Sequence, residues 1–323
     1  MFFTDKEVAY ICNQDTCSET VNISQRHQLR DLASCLSQME DRSISVWNIL
    51  GGYTKRQLTY DKDGLAAIEG ALNTLSTEAS PTYHIWGVPM WPDLSIEDSE
   101  GYGIMSLGIL WLHALPCFRR PGFPSWSPLG WQSKVRSIED LRLSGDVAIE
   151  IWWKDAYRNL STATFKKSDV DKISSTEESK TLRITAQTFP FKRPGTPTYG
   201  RPLFRSSPFM IHIEVDQDTA IFMYLHWDIQ EGDVGDIESG ICVILHTRDC
   251  GVVLIFLDGY GEYYERSGIF TVLNYFPVED WSQPSTFFQD KNGGAMISSP
   301  KEFLERVGPA LSRIAKKQTF LLR

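Results

Sequence analysis

The spacing of apolar residues changes character about a third of the way along the chain. In residues 24–53, Leu29, Leu32, Leu36 and Met39 recur at helical intervals. After a polar break at Asp41-Arg42-Ser43, Val46, Trp47, Ile49 and Leu50 carry the pattern toward Gly51-Gly52, a plausible helix end. Residues 61–75 predict a second helix, with Asp61 as a capping residue and Leu65, Ile68 and Leu72 on one face. Residues 103–115 read as a third, shorter helix that stops before Pro116. Ahead of all three, residues 2–12 read as a short strand with a turn at Thr4-Asp5-Lys6. It resembles the second half of a hairpin whose partner lies upstream.

From Phe123 onward the period falls to that of strands. Residues 146–152, 181–185, 210–215, 220–227, 240–247 and 252–257 are strand candidates, with hairpin turns expected at Asp249-Cys250-Gly251 and Asp258-Gly259. Residues 161–180 are polar and poor in aromatics, which predicts a mobile loop, and residues 190–208 carry enough proline to predict an irregular connection. A late helix starts at Ser299-Pro300, where Ser299 can cap and Glu302 occupies the capping-box position. Residues 319–322 close as a terminal strand. The expected class is α+β: a mainly helical region over residues 1–122, followed by a β-rich, mostly antiparallel domain over residues 123–323.

Composition supports a folded chain and narrows its partners. The 323 residues are 42% hydrophobic and 23% charged, a balance that buries a core rather than leaving a disordered coil. The net charge of −9 repels phosphate backbones, so no nucleic-acid partner is expected. Basic pairs at Arg119-Arg120, Lys166-Lys167 and Lys316-Lys317 read as solvated surface charge. The six cysteines form no C-x-x-C pair, which argues against a zinc site, and Cys242 reads as a buried free thiol. Residues 1–7 turn acidic at once, unlike a secretory signal, and the apolar run near residues 104–115 is too short to span a bilayer. A cytoplasmic chain without a membrane partner is expected.

Candidate chemistry is sparse. His212 and Glu214 lie two apart on a strand, and His226 precedes Trp227-Asp228, so a hydrolase-like site built from His212, Glu214 and His226 is the enzymatic alternative. No serine sits in a G-x-S-x-G elbow, and the glycine-rich Asp258-Gly259-Tyr260-Gly261-Glu262 lacks the following helix that a phosphate cradle needs. The expectation is no catalytic residue, no cofactor and no metal. The distinctive features are aromatic: Phe123-Pro124-Ser125-Trp126-Ser127-Pro128 joins two φ-locked prolines to an indole that must both pack and donate, and Trp131 follows. Trp126 and Trp131 are expected in a core.

Three runs together resemble the fungal heterokaryon-incompatibility (HET-domain) family. Residues 47–70 are similar to its tyrosine-x-x-arginine-x-leucine-threonine run at Tyr53, Arg56, Leu58 and Thr59. The following aspartate-to-glycine run is matched at Asp63, Leu65, Ala67 and Gly70. The turn at Gly87-Val88-Pro89, with residues 107–111 after it, resembles a second family spacing. Residues 119–127, with Pro124, Ser125 and Trp126 followed by Gly130 and Trp131, resemble the family's proline–serine–tryptophan turn. Two departures are Pro128, where a second tryptophan is usual, and Ser133, where a glycine is often seen. A weaker echo is Tyr264-Glu265-Arg266-Ser267-Gly268.

The resemblance implies a C-terminal accessory region that starts where the HET domain ends, so the chain would be a truncated product. Its expected partner is another protein or that missing domain. Nonself recognition and regulated cell death, the family's known roles, are attributed to the missing part.

Overall fold

A computed structural model describes residues 2–3, 8–11, 16–18, 42–58, 60–76, 82–90, 109–113, 118–137, 147–160, 166–173, 176–192, 210–224, 226–227, 239–248, 251–273, 286–290, 293–297 and 299–323. Two compact units divide the chain at residues 1–49 and 50–323. The boundary expected at 122/123 falls inside the second unit, where hydrogen bonds cross it repeatedly. The class is α+β, with a β-rich, mostly antiparallel C-terminal region and a late helix.

In the first unit, β1 (Phe2–Phe3), β2 (Val8–Ile11) and β3 (Thr16–Ser18) form an antiparallel sheet with β2 in the middle. Both edges of β2 are therefore paired within this chain, by strands on either side of it. The helical pattern over residues 24–41 lies outside the described residues. Helix α1 (Arg42–Thr54) bridges the two units and runs through Gly51-Gly52 rather than ending there. Val46, Leu50 and Tyr53 make its buried stripe.

The second unit continues with α2 (Gly64–Leu75), preceded by a 3-10 turn at Asp61–Asp63. Asp61 does not cap this helix; its carboxylate faces the Arg120 guanidinium at 3.4 Å instead. Hairpin β4 (Tyr83–Ile85) and β5 (Val88–Met90) follows, then β6 (Trp111–His113), β7 (Phe118–Arg119), β8 (Trp131–Gln132) and β9 (Val135–Ser137). The helix expected over residues 103–115 is corrected at residues 111–113, which pair with β9 as a buried strand; Ile109 is helical, and residues 103–108 and 114–115 lie outside the described residues. A short, mostly apolar run carries no period that separates helix from buried strand.

The main sheet is built from β10 (Ala148–Trp153), β11 (Ala156–Asn159), β12 (Leu182–Lys192), β13 (Met210–Asp216), β14 (Thr219–Tyr224), β15 (His226–Trp227), β16 (Ser239–Arg248), β17 (Gly251–Tyr260), β18 (Tyr263–Leu273), β19 (Thr286–Asp290), β20 (Gly293–Ile297) and β21 (Lys316–Leu322). β12, β16, β17 and β18 pair in sequence, and β21 bonds to both β12 and β18, so these five strands close into a ring. β12 takes part over its full length, because Pro190 lies opposite Ile241 at a position that tolerates a missing donor. Its span replaces the irregular connection expected over residues 190–208 at residues 190–192; residues 193–208 lie outside the described residues. Within the expected loop 161–180 lie helix α3 (Lys167–Ile173) and a 3-10 turn (Glu178–Lys180), anchored by buried Val170 and Ile173.

Strand alternation sorts the apolar residues onto two cores. Ile184, Ala186, Val243, Leu245, Val253, Ile255, Leu257, Ile269 and Phe320 fill the inside of the ring, together with Trp126. Phe189, Phe191, Cys242, Leu254, Phe256 and Phe270 point the other way, against Ile213, Ile221 and Met223. Helix α4 (Pro300–Glu302), a π-helical stretch (Phe303–Val307) and helix α5 (Gly308–Ile314) cover that outer core with Phe303, Val307, Ala310 and Leu311. The Ser299 hydroxyl accepts from the Glu302 amide at 3.2 Å, as the capping pattern requires.

Asp258-Gly259 is not a turn. β17 continues to Tyr260, and the hairpin reverses at Gly261-Glu262, with Gly261 in the left-handed region at φ 65°.

Close packing at two glycines gives contrasting expectations. A Cβ on Gly240 would meet the Leu257 carbonyl oxygen at 2.2 Å and the Phe191 ring at 2.8 Å, whereas one on Gly52 meets nothing within 4 Å. Gly240→Ala is expected to lower stability by roughly 2 kcal/mol or more through overpacking. Gly52→Ala, inside α1, is expected to raise it by about 0.5–1 kcal/mol. Urea denaturation of both variants checks the pair.

Candidate functional site

The residues that stand out in sequence converge on the turn between β7 and β8. These strands pair Phe118 with Gln132 and Arg119 with Trp131, and the Arg120 amide donates to the Gly130 carbonyl at 2.7 Å. The segment so enclosed is buried from Phe123 to Gly130. Two prolines and a 3-10 turn (Pro128–Gly130) hold its path, and the Ser127 hydroxyl caps that turn by accepting from the Leu129 amide at 3.0 Å.

Three indoles supply the packing, and each has its N–H satisfied by a carbonyl. Trp126 Nε1 donates to Lys180 at 2.9 Å, Trp131 Nε1 to Ser125 at 2.8 Å, and Trp111 Nε1 to Trp126 at 3.1 Å. The two serines tie the turn to distant elements. Ser127 Oγ donates to the Trp86 carbonyl at 2.5 Å. Ser125 Oγ donates to the Arg323 carbonyl, which also accepts from the Ser125 amide at 3.1 Å, and the same hydroxyl accepts from the Arg266 amide at 2.9 Å.

Three arginines frame the turn. Arg266 is 2% exposed; its guanidinium lies 3.5 Å from the centre of the Trp111 ring, and Nη2 donates to the Trp111 carbonyl at 2.8 Å. Arg120, also 2% exposed, donates to the carbonyls of Leu129 at 3.4 Å, Thr54 at 3.4 Å and Arg56 at 2.7 Å. Arg119 donates to Arg120, Gly130 and Phe123 carbonyls, lies over Trp131 at 5.2 Å and faces Glu265 at 3.9 Å. Arg119-Arg120 is therefore half-buried to buried architecture, not the solvated pair its sequence suggested. His113 stacks edge-on against Trp111 at 4.8 Å and lies 5.8 Å from Trp131. Burial first, then the charges of Arg266 and Arg120, hold its pKa well below the usual histidine value, so the ring is neutral.

The other family-like positions reach the same region or none. Tyr53 is buried, and burial raises its phenol pKa against the pull of Arg120 and Arg56. Arg56 lies over the Tyr53 ring at 5.9 Å. Leu58 and Phe123 both come within 3.3 Å of where a Cβ on Gly64 would stand, which joins the first run to the turn. Thr59 lies outside the described residues. Asp63 is exposed and makes no side-chain cap to α2, and Gly70 is exposed with open space around it.

The enzymatic candidates lie on β13 and β15. His212 and Glu214 are on β13, and His226 is on β15, two residues beyond Tyr224, which pairs with Met210 of β13. Glu214 is exposed and pairs with Lys192 at 3.3 Å; the His212 and His226 side chains lie outside the described residues. No group of three or more His, Cys, Asp or Glu is arranged to hold a metal among the described residues. No helix among them is long and apolar enough to cross a membrane.

One buried acid escaped the sequence reading. Asp258 is held beneath the surface of β17, its pKa raised to about 7 by burial and, secondarily, by Glu265 directly opposite on β18, while a hydrogen bond from Ser267 opposes the shift. Its Oδ1 has no hydrogen-bond partner among the described residues. The aspartate–glycine pair read as a turn signal, so sequence alone hid it. Trp86 is a second surprise: it adopts φ 52° beside Gly87 at φ 81°, a conformation costly for a bulky residue. Its indole N–H to Ser179 at 2.9 Å, its carbonyl bond from Ser127 and an edge contact to Phe123 offset that strain.

Comparisons with protein-family models, curated proteins and solved structures returned no match.

Two variants check this description. Arg266→Lys keeps the charge but cannot lie flat on Trp111 while donating to its carbonyl, and a loss of about 3 kcal/mol in urea denaturation is expected. Asp258 binds its proton more tightly folded than unfolded, from an ordinary value of 3.8 to about 7. Stability is therefore expected to fall as pH rises across that window and to level off above it. Asp258→Asn should flatten that slope and be more stable than wild type at pH 8, by an amount on the order of a few kcal/mol. An unchanged slope would show that another group carries it.

Proposed function

We propose that this chain is a non-catalytic interaction scaffold, the accessory region of a protein of the heterokaryon-incompatibility type. It serves nonself recognition by binding a protein partner, either a HET domain or a further protein, in the cytoplasm. The carrying observation is how the family-like turn is used. The indole N–H groups of Trp111, Trp126 and Trp131 and the hydroxyls of Ser125 and Ser127 all donate to backbone carbonyls. Residues so committed hold a shape; they are not poised to attack, ligate or shuttle protons. The net charge of −9 favours a protein over nucleic acid as partner.

The test is calorimetric titration of the purified chain with a separately produced HET domain, beside a hydrolysis screen on ester and peptide substrates. A saturable complex with Kd at or below about 10 µM is expected. No binding, together with turnover abolished by His226→Ala, would replace this reading with the enzymatic one.

A further inference from the structure

We infer that the outer edge of β21 is a docking site for an extended peptide bearing acidic side chains, which adds to the sheet as a further strand. This rests on the geometry of β21 and stands apart from the functional reading above. β21 is antiparallel to β12 over all seven of its residues but meets β18 only where Leu322 lies beside Tyr264, in parallel. Parallel alignment would set the residues before Leu322 against residues before Tyr264. Those belong to the Gly261-Glu262 turn, since β18 begins at Tyr263. The ladder on that side therefore runs out, and among the described residues no strand pairs with the rest of the β21 edge.

The direction of each backbone group follows from one bond. The Arg323 amide donates to the Tyr264 carbonyl at 2.9 Å, so the odd-numbered residues of this strand aim their N–H and C=O groups away from β12. Ser125 captures the Arg323 carbonyl on the same side. The even-numbered residues face β12, as the bond from the Thr188 hydroxyl to the Lys316 carbonyl shows. Lys317 and Thr319 thus present amide and carbonyl to the open edge, and residues 316–319 are all exposed.

Side chains set the partner's chemistry. Lys316 and Lys317 have no ion-pair partner among the described residues, so this end of the strand is positively charged within a chain of net charge −9. Thr319 adds a hydroxyl, bonded at 2.8 Å to Thr185 on the neighbouring strand. An added strand would complete two donor–acceptor sites through its backbone and place an acidic side chain beside Lys317. A second copy of this chain is a poorer occupant, because two such molecules repel.

The experiment uses a fluorescein-labelled, alternating glutamate–valine peptide of about ten residues and its lysine–valine counterpart. Fluorescence anisotropy is expected to show the acidic peptide binding at least about tenfold more tightly. The Lys317 and Thr319 amides should exchange rapidly in the free chain and slow when the acidic peptide is bound. Thr319→Pro removes only an outward N–H and should abolish binding while leaving the circular dichroism spectrum intact. Thr319→Ala, which keeps that N–H, should bind like wild type. Gln318→Pro serves as the folding control, since its N–H faces β12 and its loss should destabilise the sheet. Equal binding of the two peptides, binding unaffected by Thr319→Pro, concentration-dependent self-association through this edge, or slow exchange of both amides in the free chain would each overturn the proposal.

Discussion

A guanidinium with almost no access to water governs the second unit. Placing the Arg266 charge inside the protein costs several kcal/mol unless partners replace its hydration. The Trp111 ring face and the Trp111 carbonyl do so. That requirement fixes where β6 stands relative to β18. It also fixes the Arg266 backbone, whose amide donates to Ser125, while Ser125 in turn donates to Arg323. One buried cation thereby ties together the proline–serine–tryptophan turn, the strand that carries the cation and the strand that ends the ring.

Ring closure depends on this linkage because β18 and β21 share so little ladder. A full set of strand bonds would hold two neighbours by itself. Here the junction narrows to the Tyr264–Leu322 bridge and its adjoining bonds, and Ser125 continues the hydrogen bonding past the last strand residue. The interior core benefits directly. Phe320 and Leu322 stay packed among Leu182, Ile184 and Leu257 only while β21 is held in place. Trp126, bonded to Lys180, packs into the same core from the turn. The geometry that leaves most of the β21 edge unpaired among the described residues is the same one that makes the turn necessary.

Much of this was legible in the sequence. Alternation located most strands of the second half, and the aromatic content of residues 123–131 marked a buried turn. The capping pattern at Ser299 gave the start of the late helix. The failures have physical causes. Residues 111–113 are buried at every position, His113 included, so no periodicity distinguished a strand from a helix. Asp258-Gly259 has the chemistry of a turn, yet strand pairing continues through it. Arg119-Arg120 looked like surface charge because local sequence says nothing about the carbonyls of Thr54, Arg56 and Leu129, which come from distant segments to meet it. Arg266 was noticed only as part of a family-like echo; its stacking on Trp111 is a contact between residues 155 positions apart.

The scaffold reading assigns the family-like turn a mechanical task, the closing of the ring, and amide exchange measures that task directly. In native-state hydrogen exchange, the amides of Ser125 and Arg266 are predicted to exchange only through global unfolding, with the same free energy as the core strand β17. Exchange of these two amides through a separate local opening, several kcal/mol below that of β17, would contradict the claim that the turn holds the ring closed.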